Sequence, residues 1–266
     1  MPHARTTDAE IHYSVLGEGG PTVLLINGLG CNAAEWGQAF PAALARDFRV
    51  VLMDNRGIGA SKSQVAKWSM EDMARDALAV LDELGVARAH VIGTSMGGMI
   101  AQTIALEHPE RVERLVLICT HAGGPKVVPP TAAAAALFAP APGMSAADIM
   151  RRTLRTITSP RFVEAHPDMI EHMVSLRMKT PTPGRVFIAQ LEALLASDRA
   201  EKIAKIACPT LVLHGLDDAL IPPDNGRFLA EHIPGAKLCL LEGVGHMPYV
   251  EKPEQTAESV LAFLRG

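Results

Sequence analysis

The sequence predicts an open α/β sheet, mostly parallel, flanked by helices and interrupted once by a helical lid inserted between two sheet strands. Three observations carry this expectation. Short β-branched apolar runs recur along the chain, continuous instead of alternating, as in strands covered on both faces. Helical patterns separate these runs up to residue 119. Between residues 119 and 210 the runs stop, and only loop and helix patterns remain.

Taken in order, residues 10–15 alternate apolar and polar side chains and read as a solvated, antiparallel edge strand. Continuous apolar runs follow at 22–27, 49–54, 90–94 and 114–119, and again at 210–214 and 237–242. Ser69 and Asp72 form a capping start for a helix to about Leu84, with Gly85 as its stop. A second helix runs from Met96 to His108 and ends at Pro109, and Pro253 opens a last one. The interruption begins as loop, with Gly123, Gly124, Pro125, Pro129 and Pro130. Helical patterns follow over roughly 145–158, 167–179 and 184–197. Residues 1–124 and 201–266 are therefore expected to form one core, and 125–200 a lid.

Composition narrows the function classes. The 266 residues are 48% hydrophobic and 20% charged with a net charge of −4, which excludes a disordered chain. No apolar run is long enough to span a bilayer, and the mild negative charge offers no case for nucleic acid or a membrane surface. Cys31, Cys119, Cys208 and Cys239 are widely separated and show no metal-ligand spacing, so reduced, buried thiols and no bound metal are expected. The opening residues lack the apolar stretch of a signal peptide, giving a cytoplasmic expectation.

The chemistry centres on Gly93-Thr94-Ser95-Met96-Gly97-Gly98, between a predicted strand and a predicted helix. Such a turn pushes the Ser95 side chain above the sheet. Glycines two residues to either side relieve the crowding, and the helix start presents the Met96 N–H to a forming oxyanion. A serine hydroxyl needs a base, and the base an orienting acid. Of ten histidines, His246 sits best, in a loop at a strand's carboxyl end. His121, after another strand end, is its strongest rival and otherwise a pocket or loop residue. Two carboxylates, Asp217 and Asp218, follow the strand at 210–214.

With these residues in view, the chain resembles the α/β-hydrolase superfamily, in its serine-nucleophile esterase and lactonase branch. The order Ser95, Asp218, His246 is that family's order of nucleophile, acid and base. His214, Gly215, Asp218 and Pro222 match its H-G-x-x-D-x-x-x-P pattern, which implies Asp218 over Asp217. Gly243, Gly245, His246 and Pro248 match its histidine loop, and Asp54, Arg56, Gly57, Gly59 and Ser61 a structural turn. The resemblance implies a second oxyanion donor at the Leu29 N–H. One departure stands there: the family's His-Gly is Asn27-Gly28 in this chain.

The function this implies is hydrolysis of a small or medium carboxylic ester or lactone through an acyl-enzyme, with no cofactor. Carbon–carbon bond hydrolases of the meta-cleavage type and slow-turnover ligand receptors share these motifs. The expected partner is a small molecule, and the expected assembly a monomer or homodimer. Pocket candidates are Trp36, which walls the pocket or packs the first helix, His121, and the lid's Phe138 and Phe162. Met150 and Met178 lie among the lid's flexible apolar side chains, which either line a pocket or pack the lid's own core. Arg151, Arg152, Arg155 and Arg161 read as a solvated helix face or as steering for an acidic substrate.

Overall fold

A computed structural model describes residues 2–139 and 141–266. Nine strands form one sheet: β1 (His3–Arg5), β2 (Ala9–Leu16), β3 (Thr22–Ile26), β4 (Arg49–Met53), β5 (Lys62–Ser63), β6 (Ala89–Thr94), β7 (Val112–Ile118), β8 (Thr210–Gly215) and β9 (Lys237–Leu241). The order is β1-β2-β4-β3-β6-β7-β8-β9, with β5 also on β2. From β4 to β9 every pairing is parallel, while β2 runs antiparallel to β4 with Tyr13 opposite Met53.

The continuous apolar runs have a direct structural cause. In β3, Leu24 and Ile26 enter the core on one face of the sheet, and Val23 and Leu25 enter the core on the other. Each such side chain contributes on the order of 1.5–3 kcal/mol by leaving water. In β2 only alternate residues are buried, matching its alternating pattern. That strand is not the edge, because β1 and β5 pair along its outer side. Three and two residues are too few to leave a readable period.

The helix Met70–Glu83 opens on the reciprocal Ser69–Asp72 capping box read from the sequence. The helix Met96–Glu107 is buried from Met96 through Ala105, so it has no polar face and serves as the internal helix behind the site. Arg56, in the turn after β4, reaches Asp76 on the helix Met70–Glu83 through two hydrogen bonds of 2.7 and 2.8 Å. That buried fork ties the turn to the helix layer.

Between β7 and β8 the chain forms the helices Ala132–Ala135, Ala146–Ile157, Pro160–Ala165, Pro167–Lys179 and Gly184–Ala196. Three of them follow the helical patterns of the sequence; Pro160–Ala165 is one short turn after Ser159 and was not legible. No helix among the described residues is long and apolar enough to cross a membrane. The topology also locates the site. The chain steps from β3 outward to β4, then returns to place β6 on the other side of β3, and ligands bind outside the carboxyl ends of strands at such a reversal.

Candidate active site

Ser95 follows β6 at that reversal, with φ 54° and ψ −123°, a conformation costly for a side-chain-bearing residue. Its surroundings hold it there. The Ser95 N–H donates to the Ile118 carbonyl at 2.9 Å, and the Thr120 hydroxyl donates to the Ser95 carbonyl at 2.6 Å. The flanking glycines are required by contact. A Cβ on Gly93 would stand 2.2 Å from the Gly97 carbonyl oxygen, and one on Gly97 only 2.1 Å from that of Ile26. As the first helical residue, Met96 has no intrahelical acceptor for its N–H.

The loop after β3 lies against this elbow, since a Cβ on Gly28 would sit 3.1 Å from the Ser95 Cβ. Asn27 organises that loop from beneath. Its side-chain oxygen accepts the Gly28 N–H at 3.1 Å, and its Nδ2 donates to the Asn32 carbonyl at 2.7 Å. Asparagine thus braces the loop with two backbone bonds and adds no ionisable group.

Asp218 follows β8 and His246 follows β9. The Asp218 Oδ1 accepts the Leu220 and Ile221 N–H groups at 2.9 Å each, and its Oδ2 stands 2.7 Å from the His246 Nδ1. The His214 Nε2 lies 3.4 Å from the same Oδ2. Burial alone would raise the Asp218 carboxyl, but His246 and His214 hold it well below the usual carboxylate range. Asp217 is not in this contact; its N–H donates to the Val244 carbonyl at 2.8 Å and helps join the β8 and β9 loops. Glu251 supports the histidine loop, accepting the Gly245 N–H at 3.0 Å, the Met247 N–H at 3.2 Å and the Ser159 N–H at 2.9 Å.

Ser95, His246 and Leu29 border one cavity of about 600 Å³. The insertion between β7 and β8 supplies much of its apolar wall, including Leu137, Phe138, Met150, Met178 and Phe187. Two charged side chains, Arg177 and Glu35, sit in the wall of the same cavity: Arg177, from the helix Pro167–Lys179, bonds Glu35 through its Nε and Cys31 through its Nη2 at 2.7 Å. Burial pushes the Cys31 thiol up to about 12 in spite of that guanidinium.

The alpha/beta hydrolase fold family model matches residues 21–253, nearly the whole chain. The chain belongs to that family. This hydrolase is 32% identical to RutD of Azorhizobium caulinodans, named for carbamate hydrolysis, over 99% of its own length and 98% of the relative's. It is also 32% identical to a 2-hydroxy-6-oxononadienedioate/2-hydroxy-6-oxononatrienedioate hydrolase of Burkholderia vietnamiensis, covering 97% of this chain and 92% of that one. Among solved structures, the enol-lactonase of Burkholderia xenovorans LB400 superposes with a TM-score of 0.86 at 29% identity, over 100% of both chains.

The hydrolase fold gathers Ser95, Met96, Leu29, Asp218 and His246 at the carboxyl ends of β3, β6, β8 and β9, and sorts the four pocket candidates. Phe138 lines the cavity. Trp36 does not: it is fully buried, 4.5 Å between ring centroids from Tyr249, which takes the place at the wall. Phe162 packs with the other buried apolar residues on that side of the sheet, its ring 4.9 Å from His166, because its short helix turns it inward. His121 accepts the Gly123 N–H on its Nδ1 at 3.0 Å, outside the cavity wall, and burial together with His246 lowers it to about 4. Arg151 pairs with Glu171 and Asp148 on the outer surface, and none of the four arginines singled out in the sequence reaches the cavity.

Cys119 puts its sulfur within 4.8 Å of ligand atoms of Asp218 and His246. That trio is a poor metal set. Burial keeps the Cys119 thiol protonated far above neutrality, and the His246 Nδ1 is already engaged by Asp218. Sequence reasoning missed Glu251, Glu35, Arg177, Thr182 and Gln190. Each acts on a loop distant along the chain, and no local motif marks them.

Proposed function

We propose that this chain is a serine hydrolase of small or medium carboxylic esters or lactones with an apolar acyl or ring portion. The observation that carries the reading is the Asp218–His246 pair, 2.7 Å apart, whose histidine borders the same cavity as a Ser95 held at a strained turn. Asp218 keeps the proton of His246 on Nδ1, leaving Nε2 free to accept the Ser95 proton. The Ser95 oxygen then attacks the carbonyl carbon, and the Leu29 and Met96 N–H groups receive the oxyanion. Collapse expels the alcohol portion, which takes the proton from His246. Water, deprotonated by His246, attacks the acyl-enzyme, and collapse breaks the Ser95 ester bond, releasing the acid while His246 returns the proton to the Ser95 oxygen. A serine bond formed at a carbonyl can be hydrolysed again, which suits acyl transfer and needs no cofactor.

The predominantly apolar wall favours an apolar acyl or ring portion, and the fold-level likeness to an enol-lactonase supports including lactones. One observation favours a second reading. Arg177, though bonded to Glu35, presents a guanidinium at the cavity, where a carbon–carbon bond hydrolase acting on a keto acid would hold the substrate carboxylate, and a relative at 32% identity bears a name of that kind.

The test has two parts. A fluorophosphonate probe followed by intact-mass measurement is expected to add one adduct to the native chain and none to Ser95→Ala; an unlabelled native chain refutes the mechanism. p-Nitrophenyl esters of increasing chain length, assayed beside γ- and δ-lactones and a vinylogous keto acid, then separate the substrate classes. Turnover of the keto acid alone replaces the first reading by the second. Stoichiometric release without turnover replaces both by a receptor.

A further inference from the structure

The loop carrying the Leu29 N–H is fastened from two sides. From the core, the Asn27 side chain holds the Gly28 N–H at 3.1 Å. From the insertion, both polar groups of Gly30 are held: its N–H donates to the Gln190 Oε1 at 2.9 Å, and its carbonyl accepts the Thr182 hydroxyl at 2.8 Å. The Asn32 Nδ2 also donates to the Thr180 hydroxyl at 3.1 Å. Gln190 and Thr182 lie more than 150 residues from Gly30 in sequence, so these contacts exist only while the insertion is seated.

The Leu29 N–H lies in the peptide group between two anchored ones. The carbonyl of that group accepts the Cys31 N–H at 3.2 Å, and with the Gly28 N–H held on one side and the Gly30 N–H on the other, the peptide plane has little freedom to rotate. Gly30 has φ 68°, a conformation in which a flexible glycine is free to depart unless held. Gln190 is fully buried, and its Nε2 has no partner among the described residues. A buried amide that satisfies only its oxygen is retained at a cost, and the one bond its side chain makes among the described residues is to Gly30.

We infer that Gln190 and Thr182 are positioning residues for the oxyanion hole: the lid aims the Leu29 N–H, so that lid seating and the competent hole are one arrangement. This deepens the serine-hydrolase reading and rests on it. The oxyanion forms only after Ser95 attacks, so misaiming its donor weakens the transition state and leaves ground-state binding nearly intact.

The experiment compares Gln190→Met, which keeps the length and removes the acceptor, with Thr182→Val, which keeps the shape and removes the donor, and Thr182→Ser, which restores it. All are assayed with p-nitrophenyl esters and a fluorophosphonate, at a temperature where circular dichroism shows each chain folded. Complete loss of one oxyanion donor costs about 10²–10³ in kcat, so a misaimed one is expected to cost about 10–100-fold with KM changed less than about threefold. Phosphonylation is expected to slow in parallel, with Thr182→Ser close to the native rate.

A merely structural role would lower the melting temperature and leave kcat per folded molecule untouched, and that result overturns the proposal. If Gln190→Met does not fold, the Val and Ser pair at 182 decides alone: equal kcat in the two overturns it. Labelling of the native chain with unaffected variants sinks only this inference. No labelling of the native chain sinks the serine mechanism, and this with it.

Discussion

Replacing Asp218 by Asn tests the site at its most constrained point. The Asp218 Oδ1 accepts two backbone N–H groups at 2.9 Å each, while Oδ2 faces the His246 Nδ1 at 2.7 Å. An asparagine can satisfy the two backbone donors only by placing its oxygen there. Its NH2 then points at the His246 Nδ1, which must become an acceptor, and the imidazole proton moves to Nε2. The base now presents a proton to Ser95 when it should take one. The reverse orientation would set an NH2 against two N–H groups, losing both bonds at about 1–3 kcal/mol each. A wrong tautomer with geometry otherwise intact costs about 10⁴ in kcat, or about 5 kcal/mol of barrier at 298 K. The assay is the steady-state rate on a p-nitrophenyl ester, with urea melts to show that the variant is folded. A folded Asp218→Asn chain retaining kcat within tenfold of native would refute the tautomer argument.

Two further outcomes follow from packing and burial. Gly97→Ala forces a Cβ to within 2.1 Å of the Ile26 carbonyl oxygen, a backbone atom with no rotamer to move, so β3 and the helix Met96–Glu107 must part. A loss of about 3 kcal/mol or more in urea denaturation is expected, and a loss below about 1 kcal/mol would contradict the contact. His121, lowered to about 4 by burial and by His246, stays neutral in the fold while the unfolded chain takes up a proton below about 6.5. Its contribution to stability is therefore full above that pH and falls as pH drops toward 4, by up to about 3 kcal/mol. His121→Gln should flatten the stability profile over that window in urea melts at stepped pH; an unchanged slope would place the proton uptake elsewhere.

Much of the fold was legible because its signals are local. A strand buried on both faces is apolar along its length, as β3 is from Val23 to Ile26, and a tight turn above a sheet must carry glycines, as at Gly93 and Gly97. The rest fails for an equally physical reason. β1 and β5 are too short to have a period, and Trp36, though only a few residues past Leu29, is turned away from the cavity by packing against Phe40 and Tyr249. Arg151, Arg152, Arg155 and Arg161 left a solvated face and substrate steering open; Arg151 sits in exposed ion pairs, and it is Arg177, bonded to Glu35, that borders the cavity.

By itself, then, the amino-acid sequence determined the strand framework and which residue types stand at strand ends, because periodicity and turn chemistry act between neighbours. Tertiary structure decided the rest. It aimed the Asp218 carboxylate, which the family pattern had already singled out, at His246, set Asn27 beneath the loop after β3, and brought Gln190 and Thr182 onto Gly30. These are directional hydrogen bonds between segments far apart in sequence, and their partners are selected by how the insertion and the sheet pack together.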